Sequence, residues 1–260
     1  MGIAHMPEVK YTIQGSGQET ILFVHCALAN SQIWSFNIHA LGRYFRTISY
    51  DLRGHGESNH SALELVTLED HVNDLREIIE NVAAASCHIV ALSMGGIIVQ
   101  EYLKTYEHRG RIIFVSSPAE SIVGHGQGLQ KIAMLTSRAL LGIFQGVGLK
   151  FLFHVMFGYL KPDAKRLAYR SFKDTTSSTA QSDIGALIQF RAIPEHLINL
   201  PVVHVIVGEK DAGRVHRHGR MLRNIFRCDQ TVLSGTGHLP NLEDPAQFND
   251  ALLKYLGNAA

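Results

Sequence analysis

The chain has little net charge, few cysteines and no long apolar run, and each shortage removes a class of function. With 24 Lys and Arg against 23 Asp and Glu in 260 residues, the net charge is +1. A dedicated nucleic-acid binder needs a clustered basic excess to neutralise phosphates, so that role is excluded. Cys26, Cys87 and Cys228 are the only cysteines, odd in number and far apart. They do not form a disulfide framework, and reduced, mostly buried thiols in a cytoplasmic protein are expected. No uninterrupted apolar segment is long enough to span a bilayer, and none follows a basic start as in a signal peptide. The 15 histidines are scattered. His216 and His218, the nearest pair, are read as flanking a helix start with no third ligand at metal spacing, so no metal site is expected.

What the chain does have is 46% hydrophobic residues, enough for one large α/β domain or a domain with an insertion. Its pattern turns on Val90-Ala91-Leu92-Ser93-Met94-Gly95-Gly96. An apolar strand ends at Leu92, and an apolar helix begins two residues later. A strand that becomes a helix so abruptly strains the residue at the corner and requires small neighbours two positions away on each side. Ala91 and Gly95 satisfy this requirement. The resulting A-x-S-x-G differs by one methyl group from the G-x-S-x-G turn that raises a nucleophilic serine above a sheet.

Other strands follow the same alternating rhythm. Val9 to Gly15 and Thr20 to Cys26 read as a hairpin around Gly15-Ser16-Gly17-Gln18. Phe45 to Leu52 runs into Asp51-Leu52-Arg53-Gly54-His55-Gly56-Glu57-Ser58, whose Arg53, Gly54 and His55 are expected to brace the loop. Thr67-Leu68-Glu69-Asp70 opens a helix with a capping box and an apolar face at Val72, Leu75, Ile78, Ile79 and Val82. Arg111 to Pro118, Val202 to Val207 and Thr231 to Ser234 are further strands. From about residue 119 to 196 no strand pattern occurs, and segments such as Leu140 to Phe144 and Phe151 to Phe157 read as helical. These signs predict an α/β fold with a mostly parallel central sheet flanked by helices. Residues 1–118 and 197–260 would form the core domain, and 119–196 a helical cap insertion.

Asp211 follows one strand in Gly208-Glu209-Lys210-Asp211, and His238 follows the next in Gly235-Thr236-Gly237-His238. In a parallel sheet both strand ends share an edge with Ser93. Together with the strand into His25, the Asp51 to Ser58 loop, the serine turn and Gly237 to Pro245, these five motifs resemble the α/β-hydrolase superfamily in its compact, helical-capped branch. The likeness covers nearly the full length outside the insertion.

The resemblance implies Ser93 as nucleophile, His238 as general base and Asp211 as the group orienting the imidazole, with Glu120 an alternative acid. This agrees with the chemistry, since a serine hydroxyl needs an adjacent base held in one tautomer. It also implies an oxyanion hole from the backbone amides of Ala27 and Met94, although Cys26 stands where the family usually has glycine. Cys26 itself reads as a buried filler. Leu28, Trp34, Phe144, Phe153 and Leu239 are the expected substrate contacts. The insertion's nine Lys and Arg against five Asp and Glu would suit an anionic substrate or an acyl-carrier protein. The expected activity is cofactor-free hydrolysis of apolar esters, lactones or thioesters. C–C hydrolase, cofactor-independent dioxygenase, perhydrolase and ligand-binding receptor roles remain open on the same scaffold.

Overall fold

A computed structural model describes residues 9–58, 65–84, 86–123, 132, 160–194 and 201–257. Its strands are β1 (Tyr11–Gln14), β2 (Thr20–Val24), β3 (Arg46–Tyr50), β4 (His88–Leu92), β5 (Ile112–Val115), β6 (Val203–Gly208) and β7 (Asp229–Leu233). They form one sheet in the order β1-β3-β2-β4-β5-β6-β7. Every neighbouring pair is parallel except β1 with β3.

The pairing of β1 corrects the hairpin expected from the sequence, because β3 lies between β1 and β2. Residues Ile21, Leu22, Phe23 and Val24 are fully buried, which suits a strand hydrogen-bonded on both sides and covered on both faces. Three of the four β1 residues are exposed, which suits an edge. The wholly buried β4 occupies the centre, with its carboxyl end at Ser93.

Side-chain alternation divides the core between the two faces of the sheet. Leu22, Val24, Ile89 and Ala91 pack with α2 (Leu68–Ile78), α3 (Met94–Tyr102) and, through Leu222 and Phe226, the later helix α6 (Gly213–Phe226). Ile21, Phe23, Val90 and Leu92 pack on the other side with α1 (Ser35–Leu41) and α8 (Pro245–Leu256). Each fully buried aliphatic or aromatic side chain contributes roughly 1.5–3 kcal/mol. At the start of α2, Thr67 Oγ1 accepts the Asp70 N–H, and Asp70 Oδ2 accepts the Thr67 N–H, forming the expected capping box.

Between residues 119 and 196, the described part contains α4 (Pro162–Phe172) and α5 (Ser177–Gln189) and no strand. The helical segments expected at 140–144 and 151–157, with Phe144 and Phe153, lie outside the described residues. α5 is fastened to loops of the sheet edge. Thr179 Oγ1 donates to the Gly54 carbonyl at 2.8 Å, and the Val66 N–H donates to Ser182 Oγ at 3.0 Å. A short helix, α7 (Pro240–Glu243), leads into α8.

Candidate active site

Ser93 occupies the corner between β4 and α3 with φ +51° and ψ −113°, a backbone region that L residues seldom adopt without enforcement by their surroundings. Its N–H donates to the Val115 carbonyl at 2.9 Å. A Cβ at Gly95 would lie 2.6 Å from the Val24 carbonyl oxygen and 2.8 Å from that of His25. Only glycine permits this approach of α3 to the end of β2. Met94 is the first residue of α3, where a backbone N–H has no intrahelical acceptor.

The loops after β6 and β7 bring the acid and the histidine to this corner. A Cβ at Gly208 would lie 2.1 Å from the Gly237 carbonyl oxygen, so the two loops can touch only through glycine. His238 Nε2 lies 3.2 Å from Ser93 Oγ, while Nδ1 lies 3.0 Å from Asp211 Oδ2 and 3.2 Å from Oδ1. With the carboxylate facing Nδ1, that nitrogen carries the proton, and Nε2 is left to accept from the serine hydroxyl. Burial opposes ionisation of Asp211, yet the His238 hydrogen bond and charge, the Ser116 hydroxyl and the Ala212 amide hold its carboxyl below the usual range. Glu120 accepts from Arg217 at 3.0 Å, so the alternative acid is engaged elsewhere and Asp211 is the acid facing His238.

Two glutamates to which the sequence reading gave no role hold the histidine loop. Glu243 accepts the N–H groups on either side of His238, from Gly237 at 2.7 Å and Leu239 at 3.0 Å. Glu209 Oε2 accepts the Gly235 N–H at 2.7 Å. Their signal was local, since both stand in the short motifs that carry Asp211 and His238.

The loop after β2 is tied down at several points. His25 Nδ1 donates to the Cys26 carbonyl at 2.8 Å, and its Nε2 accepts the Leu52 N–H at 2.9 Å. Leu28, at φ +62°, is gripped from α5 and the turn before it. Its N–H donates to Asp183 Oδ2 at 2.7 Å, and its carbonyl accepts from Thr175 Oγ1 at 2.8 Å. Asp183 Oδ2 also lies 3.0 Å from His55 Nε2. Asp183 escaped the sequence reading; its only signal was an acid placed among the small and apolar residues of one helical face. Arg53 pairs with buried Asp74, and Gly54 and His55 bind α5 as above, so this loop serves as a brace, as expected.

Burial, reinforced by the nearby His55 charge, lowers the His25 pKa to about 3 and that of His71 to about 4. Burial also leads the lowering of His88, His108, His204 and His218. In the unfolded chain these groups take up protons near pH 6.5, whereas the folded state resists doing so. Stability therefore falls as pH drops below 6.5, by up to about 1.4 kcal/mol per pH unit for each such histidine. Urea unfolding at pH 7.5 and pH 5.0 is expected to show a loss of at least about 2 kcal/mol at the lower pH. Equal midpoints would contradict it.

Ser93 and His238 open into a cavity of about 240 Å³ whose walls include Ala27, Leu28, Phe172, Leu187 and Leu239. A wider cleft of about 490 Å³ lies on the Asp211 side, with Leu160, Lys161 and Lys210. Ala27, Leu28 and Leu239 border the serine cavity. Trp34 does not. It is fully buried, with its ring centroid 5.0 Å from Phe23 and 6.2 Å from Phe248. It is a core residue because an indole beside β2 and α8 buries more apolar area than a pocket wall could offer. Cys26 borders the cavity, but burial pushes its thiol up to about 12, which leaves it inert, as a filler should be. His216 and His218 both lie inside α6 rather than flanking its start. Among the described residues no group of three metal-ligating side chains converges, and no helix is long and apolar enough to cross a membrane.

Residues 21–251 match the family model described as "Alpha/beta hydrolase family". The chain is 24% identical to 3-oxoadipate enol-lactonase 1 of Acinetobacter baylyi, over 91% of this chain and 89% of that one. It is 22% identical to a carboxylesterase of Bacillus subtilis, over 91% and 80% of the two chains. Among solved structures, a thermophilic esterase from Thermogutta terrifontis superposes with a TM-score of 0.80 at 21% identity, covering 95% of this chain and 92% of that one. With the family model matching most of its length, the chain belongs to the alpha/beta hydrolase family.

Proposed function

We propose that the protein is a serine hydrolase of carboxylic esters, lactones or thioesters that works through an acyl-enzyme. The observation that carries this reading is the unbroken Ser93–His238–Asp211 series, with spacings of 3.2 Å and 3.0 Å at the N-terminus of α3. His238 Nε2 takes the hydroxyl proton as Ser93 Oγ attacks the carbonyl carbon. Asp211 holds the ring in the required tautomer and stabilises the imidazolium. The tetrahedral oxyanion receives the amides of Met94 and Ala27, each worth roughly 3 kcal/mol of barrier. His238 then protonates the departing alcohol or thiol. A water, deprotonated by the same nitrogen, releases the acid.

Kinship with an enol-lactonase and with carboxylesterases supports an acyl–oxygen bond as the target. The segment 119–196 is the proposed cap; α4 and α5 supply Phe172 and Leu187 to the cavity wall. No metal or organic cofactor is required by this chemistry. The three thiols are free, which fits a reducing compartment.

The test is turnover of 4-nitrophenyl acetate and hexanoate, a small lactone and an acyl thioester at pH 8. Hydrolysis of at least one is expected, with His238→Ala lowering kcat by roughly 10⁴–10⁶-fold, as for loss of either member of a cooperating nucleophile–base pair. Unchanged turnover in His238→Ala, or oxygen uptake without ester cleavage, would overturn the reading.

A further inference from the structure

Two polar side chains on α6 border the serine cavity without a part in the proposed acyl transfer. Arg214 and His218 are four residues apart, so they stand one above the other on a single helix face. Both border the cavity that contains Ser93, with Val215 on the same wall. His218 is only 2% exposed. Its Nδ1 accepts the Ala119 N–H at 3.3 Å, which places the proton of the neutral ring on Nε2. That N–H is buried and has no acceptor among the described residues. An unmet buried donor costs about 1–3 kcal/mol, which a ligand oxygen would recover.

Arg214 is exposed and lies at the rim. Arg217, by contrast, is directed at Glu120. Among the described residues Arg214 has no hydrogen bond or ion pair, so its guanidinium is available to a ligand carboxylate in a two-point contact. The other described wall residues include the apolar Leu28, Ile122, Phe172 and Leu187, with Ser116 beside them. The volume of about 240 Å³ falls below the roughly 300–1,000 Å³ of sites for drug-sized ligands, which suits a short acyl chain.

We propose that Arg214 and His218 form a carboxylate subsite, and that the preferred substrates are esters or lactones of short dicarboxylic acids whose second carboxylate docks there while Ser93 attacks the first. The assignment rests on the serine-hydrolase reading and adds the substrate class. Burial keeps His218 neutral despite the opposing influence of Glu120, consistent with its acting as a donor through Nε2 rather than as a second cation. Docking the far carboxylate fixes the distance between subsite and reacting carbonyl, so chain length becomes a selected variable.

The test compares mono-(4-nitrophenyl) glutarate with 4-nitrophenyl pentanoate, five-carbon acyl chains that differ by the terminal carboxylate. Wild-type kcat/KM is expected to favour the glutarate at least tenfold. That ratio should fall at least tenfold in Arg214→Gln and below one in Arg214→Glu, mainly through KM. His218→Gln, which keeps an N–H donor, should retain more of the ratio than His218→Phe. Circular dichroism and thermal melting would verify that each variant is folded. A wild-type ratio near one would overturn the subsite while leaving the esterase reading intact. So would a ratio that survives Arg214→Gln but collapses in Lys210→Gln, which would move the anion to the other cleft. Failure to cleave either ester would overturn the subsite, and failure on the small lactone and the acyl thioester as well would overturn the serine-hydrolase reading with it.

Discussion

Ser93→Ala is expected to lower kcat for any ester the protein cleaves by roughly 10⁴–10⁶-fold, the loss seen when a member of a cooperating nucleophile–base pair is removed. The size follows from the role of the residue. Without Oγ no acyl-enzyme forms, and His238 Nε2 loses the hydroxyl held 3.2 Å away. What remains is attack by water in a pocket still equipped with the amides of Met94 and Ala27. Stability should change little, because Ala at φ +51° meets the same backbone strain as Ser. Steady-state kinetics with the most active substrate, alongside a melting curve, checks both halves. Loss of activity accompanied by unfolding would not count in favour of the role.

Asp183→Ala is expected to lower stability by about 3–5 kcal/mol, the range for removing one partner of a buried ion pair. Asp183 is completely buried, and its Oδ2 takes both the Leu28 N–H and His55 Nε2. Burial disfavours charge on His55, but the Asp183 carboxylate outweighs it and raises the imidazole pKa. Burial likewise opposes ionisation of Asp183, and His55 with the Leu28 amide lowers its pKa nonetheless. The contribution is therefore complete only between the ordinary values of the two groups, 3.8 for the carboxyl and 6.5 for the imidazole. It declines as pH rises through the raised His55 pKa, and again as pH falls through the depressed Asp183 pKa.

Leu28 follows Ala27 directly, so releasing its amide also loosens a proposed oxyanion donor. A drop in kcat of about 10²-fold is expected in the fraction that folds. Asp183→Asn, which keeps an oxygen acceptor, should lose less on both counts. Urea unfolding near neutral pH with kcat measured on the same samples decides. A loss below about 1 kcal/mol would show that the pair is not a clamp.

Much of this arrangement was legible in the chain because it depends on local rules. The continuous apolar run Ile89 to Leu92 against Ala91-x-Ser93-x-Gly95 fixes a strand, a strained corner and a helix within a few residues. Parallel connection then sends the ends of β6 and β7 to the same edge, which places Asp211 and His238 without further information. The partner of β1 was not legible, since the Gly15 to Gln18 turn suits a hairpin and only packing of β2, buried from Ile21 to Val24, displaces β1 to the far side of β3. Trp34 was misplaced for a similar reason. Its position after the β2 loop says that it is near the site in sequence, while the direction of its ring is set by Phe23 and by Phe248, which lies more than 200 residues later. Asp183, Arg214 and His218 carry no motif at all. Their significance comes from contacts between α5 or α6 and loops distant in sequence, which periodicity does not encode.

The measurement that bears most directly on the account is reaction with a fluorophosphonate serine probe, read by intact mass and peptide mapping, with Ser93→Ala and His238→Ala as controls. The account predicts one adduct per chain, on Ser93, absent from Ser93→Ala and strongly slowed in His238→Ala, because the hydroxyl is nucleophilic only while Nε2 takes its proton. Well-folded protein that remains unlabelled, or labelling that persists undiminished in His238→Ala, would contradict it.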